Sequence, residues 1–237
     1  MNKIKAIATK ELLFFLNSPF GYLYLFVILV ITNWLFFSDF FVNNLSTFES
    51  LFSNFYFILI FFIPVVTMNS LADEKKQGNW EVILSLPVTD LELLIGKFLG
   101  ILAYSLMSLV VLIPSFATVF ILGNPDVGIF IGQIVATIFL LSSYISAGIF
   151  FSSLTSQPLM SFIFTFALLL LNNLIISSMV MSRIPLPIGQ FFQFISLSER
   201  VNTISTGLVD IANLLFFFSW VSIFIIASSL VLKKRKL

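Results

Sequence analysis

Long intervals without a charged residue constrain this chain more than any other feature. Asp, Glu, Lys and Arg are absent from five intervals, namely 12–38, 50–72, 98–125, 127–182 and 211–232. A charge at the centre of a bilayer costs about 2.5 to 3.5 kcal/mol on insertion scales, so such intervals mark membrane spans. With 59% apolar and 10% charged residues, the chain also lacks the polar side chains that cover a soluble domain. The sequence therefore predicts an integral membrane protein.

The lengths of these intervals predict an all-α fold with six transmembrane helices. A spanning helix needs about 20 residues, so the interval 127–182 must hold two of them. Its break lies at 152–158, where small polar residues precede a proline suited to starting a helix. Residues 1–237 are thus expected to form one transmembrane domain. Its predicted spans are 20–38, 50–69, 91–121, 128–151, 158–182 and 210–232.

The basic residues predict the orientation of the chain. An even number of spans places both termini on one side, and Lys and Arg are enriched on the cytoplasmic side. Only Arg183 and Arg200 fall on the side away from the termini. Ten fall on the side shared by the termini and the segment 70–97, namely Lys3, Lys5, Lys10, Lys75, Lys76, Lys97, Lys233, Lys234, Arg235 and Lys236. Both termini, with the short tail 233–237, are therefore expected in the cytoplasm.

The N-terminal segment 1–18 is predicted to be an amphipathic helix at the inner membrane surface. Its helical spacing over residues 3–17 separates a polar face from an apolar one. The polar side chains expected to face water are Lys3, Lys10 and Glu11. The apolar side chains expected to face lipid are Ile4, Ile7, Ala8, Leu12 and Phe15.

Small residues at a spacing of four predict close contacts between helices. Gly128, Gly132 and Ala136 form one such row, and Gly96 and Gly100 form another. Either row is suited to a contact within the chain or to a contact between two copies of it.

Asn172 and Asn173 are the most polar pair at mid-span depth. One interpretation is a hydrogen bond between helices, which commonly holds membrane helices together. The other is that the pair forms part of a translocation surface that contacts the transported molecule.

The composition excludes several classes of function. The charge-free intervals that mark the spans hold no Asp, Glu, Lys, Arg or His, whereas carriers driven by protons or sodium usually need one of these inside the bilayer. The chain has no His and no Cys, which excludes serine-histidine and cysteine-histidine hydrolases, His-Glu-x-x-His metalloproteases, haem ligation by His and thiolate metal sites. A net charge of +1 gives no field that would attract nucleic acid. We therefore expect no catalytic, cofactor or metal site in this chain.

The loop 70–90 contains a segment suited to binding a partner. Helical spacing over 79–86 places Trp80, Ile83 and Leu84 on one face and Glu81 and Ser85 on the other. A short helix with a Trp anchor is too small to form a domain but can fill a groove on another protein. The alternative is an interfacial helix with Trp80 at the depth of the lipid headgroups.

Motifs across the chain resemble the permeases of ABC-2-type ABC transporters. The resemblance to the intracellular loop of that family rests on Glu74-Lys75-Lys76-Gln77-Gly78, Trp80-Glu81, Leu86-Pro87 and Gly96-Lys97-Phe98-Leu99-Gly100. Two further motifs resemble the branch with the gliding-motility-associated and nitrous-oxide-accessory permeases. They are Lys10-Glu11-Leu12 with Asn17-Ser18-Pro19-Phe20-Gly21-Tyr22, and Ile195-Ser196-Leu197 through Gly207-Leu208-Val209-Asp210.

The resemblance implies specific roles and partners. Segment 71–86 would be a coupling helix seated in a cleft of an ATPase subunit. The residues implied in this coupling are Glu74, Gly78, Trp80, Glu81, Ile83 and Leu84. The protein would pair with a second permease, identical or homologous. Residues 1–18 would be a connecting helix, and 183–209 would contain short helices in the outer leaflet.

The ATPase is expected to be a separate polypeptide. The chain lacks the Gly-x-x-x-x-Gly-Lys-Ser/Thr loop that cradles nucleotide phosphates, so ATP and Mg would be bound by the partner. Asn79 stands where the family commonly has Thr, and Asn is an equally good N-cap for the coupling helix.

Together these features predict the permease subunit of an ABC exporter in the bacterial cytoplasmic (inner) membrane, surrounded by lipid and not itself an enzyme. One alternative is a membrane scaffold that recruits a soluble ATPase or other partner without transport. Another is an intramembrane hydrolase that uses a serine and Lys97. The second alternative is disfavoured because Lys97 is expected at the inner boundary of a span.

Overall fold

The computed structural model describes nearly all of the chain, and the part described is helical with no strand in it. The described residues are 2–43, 47–76, 78, 88–122, 126–174, 189, 193–207 and 210–234. The helices, in chain order, are α1 (Asn2–Leu16), α2 (Pro19–Asn43), α3 (Phe48–Thr67), α4 (Ala72–Lys76), α5 (Asp90–Val110), α6 (Ile113–Leu122), α7 (Val127–Leu154), α8 (Pro158–Leu174), α9 (Leu197–Ser205) and α10 (Ile211–Lys234).

Among the described residues, five segments are long and apolar enough to cross a membrane. They are α2, α3 with the residues through Lys76, α5, α7 and α10. These correspond to five of the six predicted spans. The remaining one, predicted over 158–182, begins as α8, which is apolar but has only 17 described residues. Residues 175–182 of that prediction lie outside the described part of the chain.

Helix α7 lies at the centre of the bundle. It packs against α3, α5, α8, α9 and α10, and it carries apolar residues on all sides, as expected of a helix without a solvent face. Leu141 and Ile145 of α7 are fully buried, as are Phe52 and Phe55 of α3. The core therefore forms chiefly between α7 and its neighbours, and α2 covers α3, α5 and α6 from outside.

The prediction of one continuous helix over 91–121 is wrong. The chain forms α5 and α6 instead, with a turn at Val111 and Leu112 between them. Pro114 explains the break, because proline has no N–H to donate and its ring clashes with the carbonyl four residues earlier. Asn33 of α2 bonds to the chain on both sides of the break. Its Nδ2 donates to the Val111 carbonyl at 3.4 Å, and its Oδ1 accepts from Ser115 Oγ at 2.6 Å.

The row of small residues on α7 serves a contact within the chain. A Cβ added at Gly132 would lie 2.7 Å from the Ile204 carbonyl oxygen, so only glycine lets α9 approach this closely. Helix α9 lies within the predicted segment 183–209. Residues 183–188, 190–192 and 208–209 of that segment lie outside the described part.

Candidate functional site

Helix α5 begins with a capping box that fixes where its first turns lie. Thr89 Oγ1 accepts from the Glu92 backbone N–H at 3.3 Å, and Glu92 Oε2 accepts from the Thr89 N–H at 2.8 Å. Lys97 follows two turns later, about 10 Å along the helix axis from Asp90. This places its side chain where α5 passes both α1 and the turn that follows α3.

The ammonium group of Lys97 joins three elements. Its Nζ donates to Glu74 Oε1 of α4 at 2.8 Å, to the Ser70 carbonyl at 2.7 Å and to Glu11 Oε2 of α1 at 3.3 Å. The Lys97 side chain is only 3% exposed. We call Glu11, Ser70, Glu74 and Lys97 the Lys97 junction. Removing one partner of a buried ion pair costs about 3 to 5 kcal/mol because it leaves an uncompensated buried charge, so the junction should be sensitive to substitution of Lys97.

Two glycines of α5 allow α1 to reach Lys97. A Cβ at Gly96 would lie 2.7 Å from Ile7 Cβ, and a Cβ at Gly100 would lie 2.7 Å from the Ala8 carbonyl oxygen. One turn further, Phe15 stacks on Tyr104 with the ring centroids 4.5 Å apart. The second row of small residues therefore also serves a contact within the chain.

The predicted faces of the N-terminal helix are wrong on two points. Glu11, expected to face water, is buried. The apolar face expected to meet lipid packs against α5 instead, through Ile7 and Ala8, and Phe15 on it is buried. The reason is that α5 supplies both a glycine groove for the apolar face and a cation for Glu11. The side of α1 away from α5 carries the exposed residues Lys5, Thr9, Lys10, Leu13 and Phe14.

The Lys97 junction contains more acidic than basic side chains. Burial raises the pKa of Glu11 above its ordinary value, and the positive charge of Lys97 offsets this only in part. Two carboxylates face one ammonium, and Glu74 Oε2 is buried with no hydrogen-bond partner among the described residues. Removing either carboxylate leaves one cation and one anion, whereas removing Lys97 leaves two anions.

A second set of contacts ties the same loop to α7. Ser152 Oγ accepts from the backbone N–H groups of Leu71 and Ala72 at 3.0 Å each and donates to the Met68 carbonyl at 3.1 Å. Lys75 Nζ donates to the carbonyls of Ser152, Ser153 and Thr155 at the end of α7, where unpaired carbonyls favour a cation. The segment 68–76 is thus held by α5 on one side and by α7 on the other.

The structure describes some of the residues predicted for partner coupling. Glu74 belongs to the Lys97 junction. Gly78 has φ +73°, a left-handed conformation that favours glycine, and its N–H donates to the Lys75 carbonyl at 3.3 Å. Trp80, Glu81, Ile83 and Leu84 lie outside the described residues.

Comparison with known families identifies the kind of protein that carries this site. Residues 5–237 match the sequence model of the family described as ABC-2 family transporter protein. The chain belongs to this ABC-2 transporter family. No curated protein matches the chain significantly.

Membership of the ABC-2 family establishes the general character of the chain. ABC-2 permeases are multi-pass membrane components of transporters, and they normally work with an ABC ATPase subunit. The permeases of this family are transport components and are not themselves catalytic. The Lys97 junction lies where this ABC-2 chain leaves its second span and enters its third.

The two asparagines predicted as a polar pair both contact the segment around α9. Asn172 Oδ1 accepts from the Leu197 N–H at 3.1 Å, and Asn173 Nδ2 donates to Ser198 Oγ at 3.2 Å. These bonds hold the start of α9 against α8. Asn173 also lines a polar cavity beside α9, so its surroundings suit both interpretations given to the pair.

Sequence reasoning missed Lys97 and Glu11 as partners. The predicted spans were taken to lack titratable groups, yet Lys97 lies within the membrane-length helix α5. The available signal was a lysine flanked by Gly96 and Gly100 on one helix and a lone acidic residue, Glu11, on an apolar helix. The junction also argues against a serine-lysine hydrolase, because the Lys97 donors are engaged by two carboxylates and a carbonyl.

Proposed function

We propose that this chain is the permease subunit of an ABC exporter, powered by a separate ATPase that docks on the loop 70–90. The observation that carries the proposal is the attachment of that loop to two long helices at once. Lys97 bonds it to α5, and Ser152 bonds it to α7. A displacement of the loop by an ATPase would therefore move both helices instead of being absorbed by a flexible linker.

The proposed coupling residues lie in this loop. The helical spacing of Trp80, Ile83 and Leu84 in the sequence predicts an apolar face that would enter a cleft on the ATPase, and Glu81 is proposed to contact the ATPase as well. Glu74 transmits the movement to Lys97, and Gly78 supplies the turn between α4 and the docking segment. ATP and Mg are held by the partner, and closure of the ATPase subunits drives the cycle.

The charge pattern supports a cytoplasmic location for this loop. Ten basic residues lie on its side of the predicted topology and two on the other. The protein accordingly sits in the bacterial inner membrane with both termini in the cytoplasm. Helix α1 lies along the inner leaflet as the connecting helix, and α9 lies towards the outer leaflet.

The transporter contains a second permease, either another copy of this chain or a homologue. The motifs around Lys10 and Gly207 favour the branch of gliding-motility-associated and nitrous-oxide-accessory permeases. Away from their ends, the described spans hold no Asp, Glu, Lys, Arg or His other than Lys97, which is consistent with ATP as the energy source.

Co-purification tests this proposal. The double substitution Trp80→Asp with Leu84→Asp puts two charges on the apolar face and should abolish recovery of the ATPase from mild-detergent extracts. The matched control is Ser85→Asp, which changes the opposite face of the same segment and should leave recovery intact. Membrane insertion should be equal in both variants.

Stimulation of the ATPase separates transport from a scaffold role. A permease in lipid should increase the rate of ATP hydrolysis by the co-purified ATPase. A partner that binds but is not stimulated would indicate the scaffold. Unchanged ATPase recovery in the double variant would reject the docking site.

A further inference from the structure

A polar cavity lies at the opposite end of the bundle from the Lys97 junction. It has a volume of about 570 Å³ and lies between α3, α7, α8 and α9. Glu49, in the first turn of α3, lines it, whereas Ser70 of the junction follows the last turn of that helix. A volume of this size is within the range of pockets that hold small molecules.

The cavity extends deep between the helices. Gln133 and Tyr144 line it from one face of α7, and eleven residues of helix separate them by about 16 Å. Ser198, Asn202 and Ser205 line it from one face of α9, at a spacing of four and three residues. The sequence thus builds a continuous polar wall from regularly spaced side chains.

Neutral polar groups dominate this wall. Among the described lining residues, Glu49 is the one with a charge, and its side chain is exposed at the rim. Tyr56 and Tyr144 add aromatic faces that suit apolar parts of a ligand, and the hydroxyl of Tyr144 is available to its polar parts.

Two hydrogen-bond donors face the cavity without an acceptor on the described protein. Tyr144 is 2% exposed, and its hydroxyl bonds to no described residue. Gln133 is 3% exposed; its Oε1 accepts from the Tyr56 hydroxyl at 2.9 Å, but its amide nitrogen donates to no described residue. Both donor atoms are open to the cavity and are not among the fully enclosed polar atoms that lack a partner. An oxygen-bearing ligand could accept from both of them, and each such hydrogen bond contributes about 0.5 to 1.5 kcal/mol.

We propose that the cavity binds an uncharged group of the transported molecule that carries several hydroxyl or amide oxygens. A buried charge in the ligand would find no counter-charge near Tyr144 and Gln133, and this would be costly. Glu49 at the rim further repels anions. The identification of the ligand with the transported molecule rests on the function proposed above, whereas binding itself is independent of any ATPase.

Thiol protection tests the site directly. The chain has no cysteine, so single-cysteine variants need no other change. Ser205→Cys places a thiol in the cavity, and Thr203→Cys places one on the same helix outside the lining residues. The full-length permease in lipid nanodiscs is labelled with N-ethylmaleimide in the presence of maltotriose, acetyl-trialanine amide, trilysine or triglutamate. The first two probes distinguish hydroxyl from amide ligands.

One neutral probe should slow labelling of Ser205→Cys about tenfold and leave Thr203→Cys unaffected. When Tyr144→Phe is combined with Ser205→Cys, the concentration of the neutral probe needed for protection should rise about three- to tenfold. Its unfolding temperature should stay equal or rise, because the lost hydroxyl has no partner in the described protein. Tyr56→Phe is the structural control and should lower the unfolding temperature, since its hydroxyl bonds to Gln133.

Three results would overturn the assignment: no protection by either neutral probe, equal protection by a charged probe, or no labelling of Ser205→Cys while Thr203→Cys reacts. The assay contains no ATPase and no ATP. If a neutral probe protects the thiol but no ATPase co-purifies with the permease, the binding site is retained and the proposed function is rejected. If the ATPase co-purifies but no neutral probe protects the thiol, the binding site is rejected and the proposed function is retained.

Discussion

Lys97 Nζ and Glu11 Oε2 lie 3.3 Å apart although 86 residues separate them in the sequence. The contact joins the N-terminal helix α1 to the third long helix of the bundle. Glu74 meets the same ammonium group, so a single side chain connects α1, the loop after α3 and α5. Movement of that loop is therefore linked to movement of both helices.

The first prediction concerns the loss of this cation. Lys97→Met leaves the buried Glu11 and the partly buried Glu74 beside each other without a positive charge, which should lower the free energy of unfolding by about 3 to 5 kcal/mol. Denaturation in detergent measures the change. The exposed Lys10→Met should alter stability by about 0.5 kcal/mol or less. Equal effects of the two substitutions would mean that the junction adds no stability.

The second prediction concerns the groove on α5. Gly100→Val places side-chain atoms against the Ala8 backbone, which cannot move aside as a flexible side chain would, so α1 should detach from α5. Trypsin should then cut faster after Lys10. Gly128→Ala is the control, because its added Cβ meets only the Asp126 carboxylate, at 3.1 Å. An unchanged rate of cleavage in Gly100→Val would contradict the close docking of α1.

The third prediction concerns pH. Burial raises the pKa of Glu11 above its ordinary value of 4.5, so the folded protein holds this proton more tightly than the unfolded chain. The stability from this group is complete below the ordinary value and is lost as pH rises through the raised pKa. The free energy of unfolding of the wild type minus that of Glu11→Gln should therefore fall between pH 4.5 and neutrality. A difference that grows with pH would show that attraction to Lys97 outweighs burial.

Charge-free intervals predicted the long helices well. The span predicted at 128–151 is α7 (Val127–Leu154), and the one at 210–232 is α10 (Ile211–Lys234). The agreement arises because the cost of a charge in lipid limits where a helix can enter and leave the membrane. The same argument could not detect the break at Pro114, since an uncharged turn inside a bundle leaves no gap in the charge pattern.

The partners of individual side chains were harder to predict. The amphipathic pattern of α1 identifies an apolar face but does not say whether lipid or protein covers it. Glu11 was assigned to water because its partner lies on a helix that is distant in sequence. The docking residues Trp80 and Leu84 remain a prediction from the sequence, since they lie outside the described part.

The fourth prediction concerns the attachment of the loop to α7. Ser152→Ala leaves the N–H groups of Leu71 and Ala72 without their acceptor, which should destabilise the protein by about 1 to 3 kcal/mol. It should also reduce stimulation of the ATPase while the ATPase still binds. Ser219→Ala, at an exposed serine of α10, should have neither effect. Loss of ATPase binding in Ser152→Ala would contradict this separation, because the buried serine would then be needed to hold the docking segment in place.

The most direct test of coupling through the Lys97 junction is the rate of ATP hydrolysis by the partner ATPase, reconstituted in lipid with the Glu74→Ala permease. This substitution removes the ion pair between the loop and Lys97, so that only the Ser70 carbonyl of the loop still bonds to the ammonium group. Glu11 and Lys97 remain as a balanced pair, so the permease should fold and should co-purify with the ATPase as the wild type does. We predict that stimulation falls about tenfold or more relative to the wild type. Full stimulation with Glu74→Ala would contradict the account.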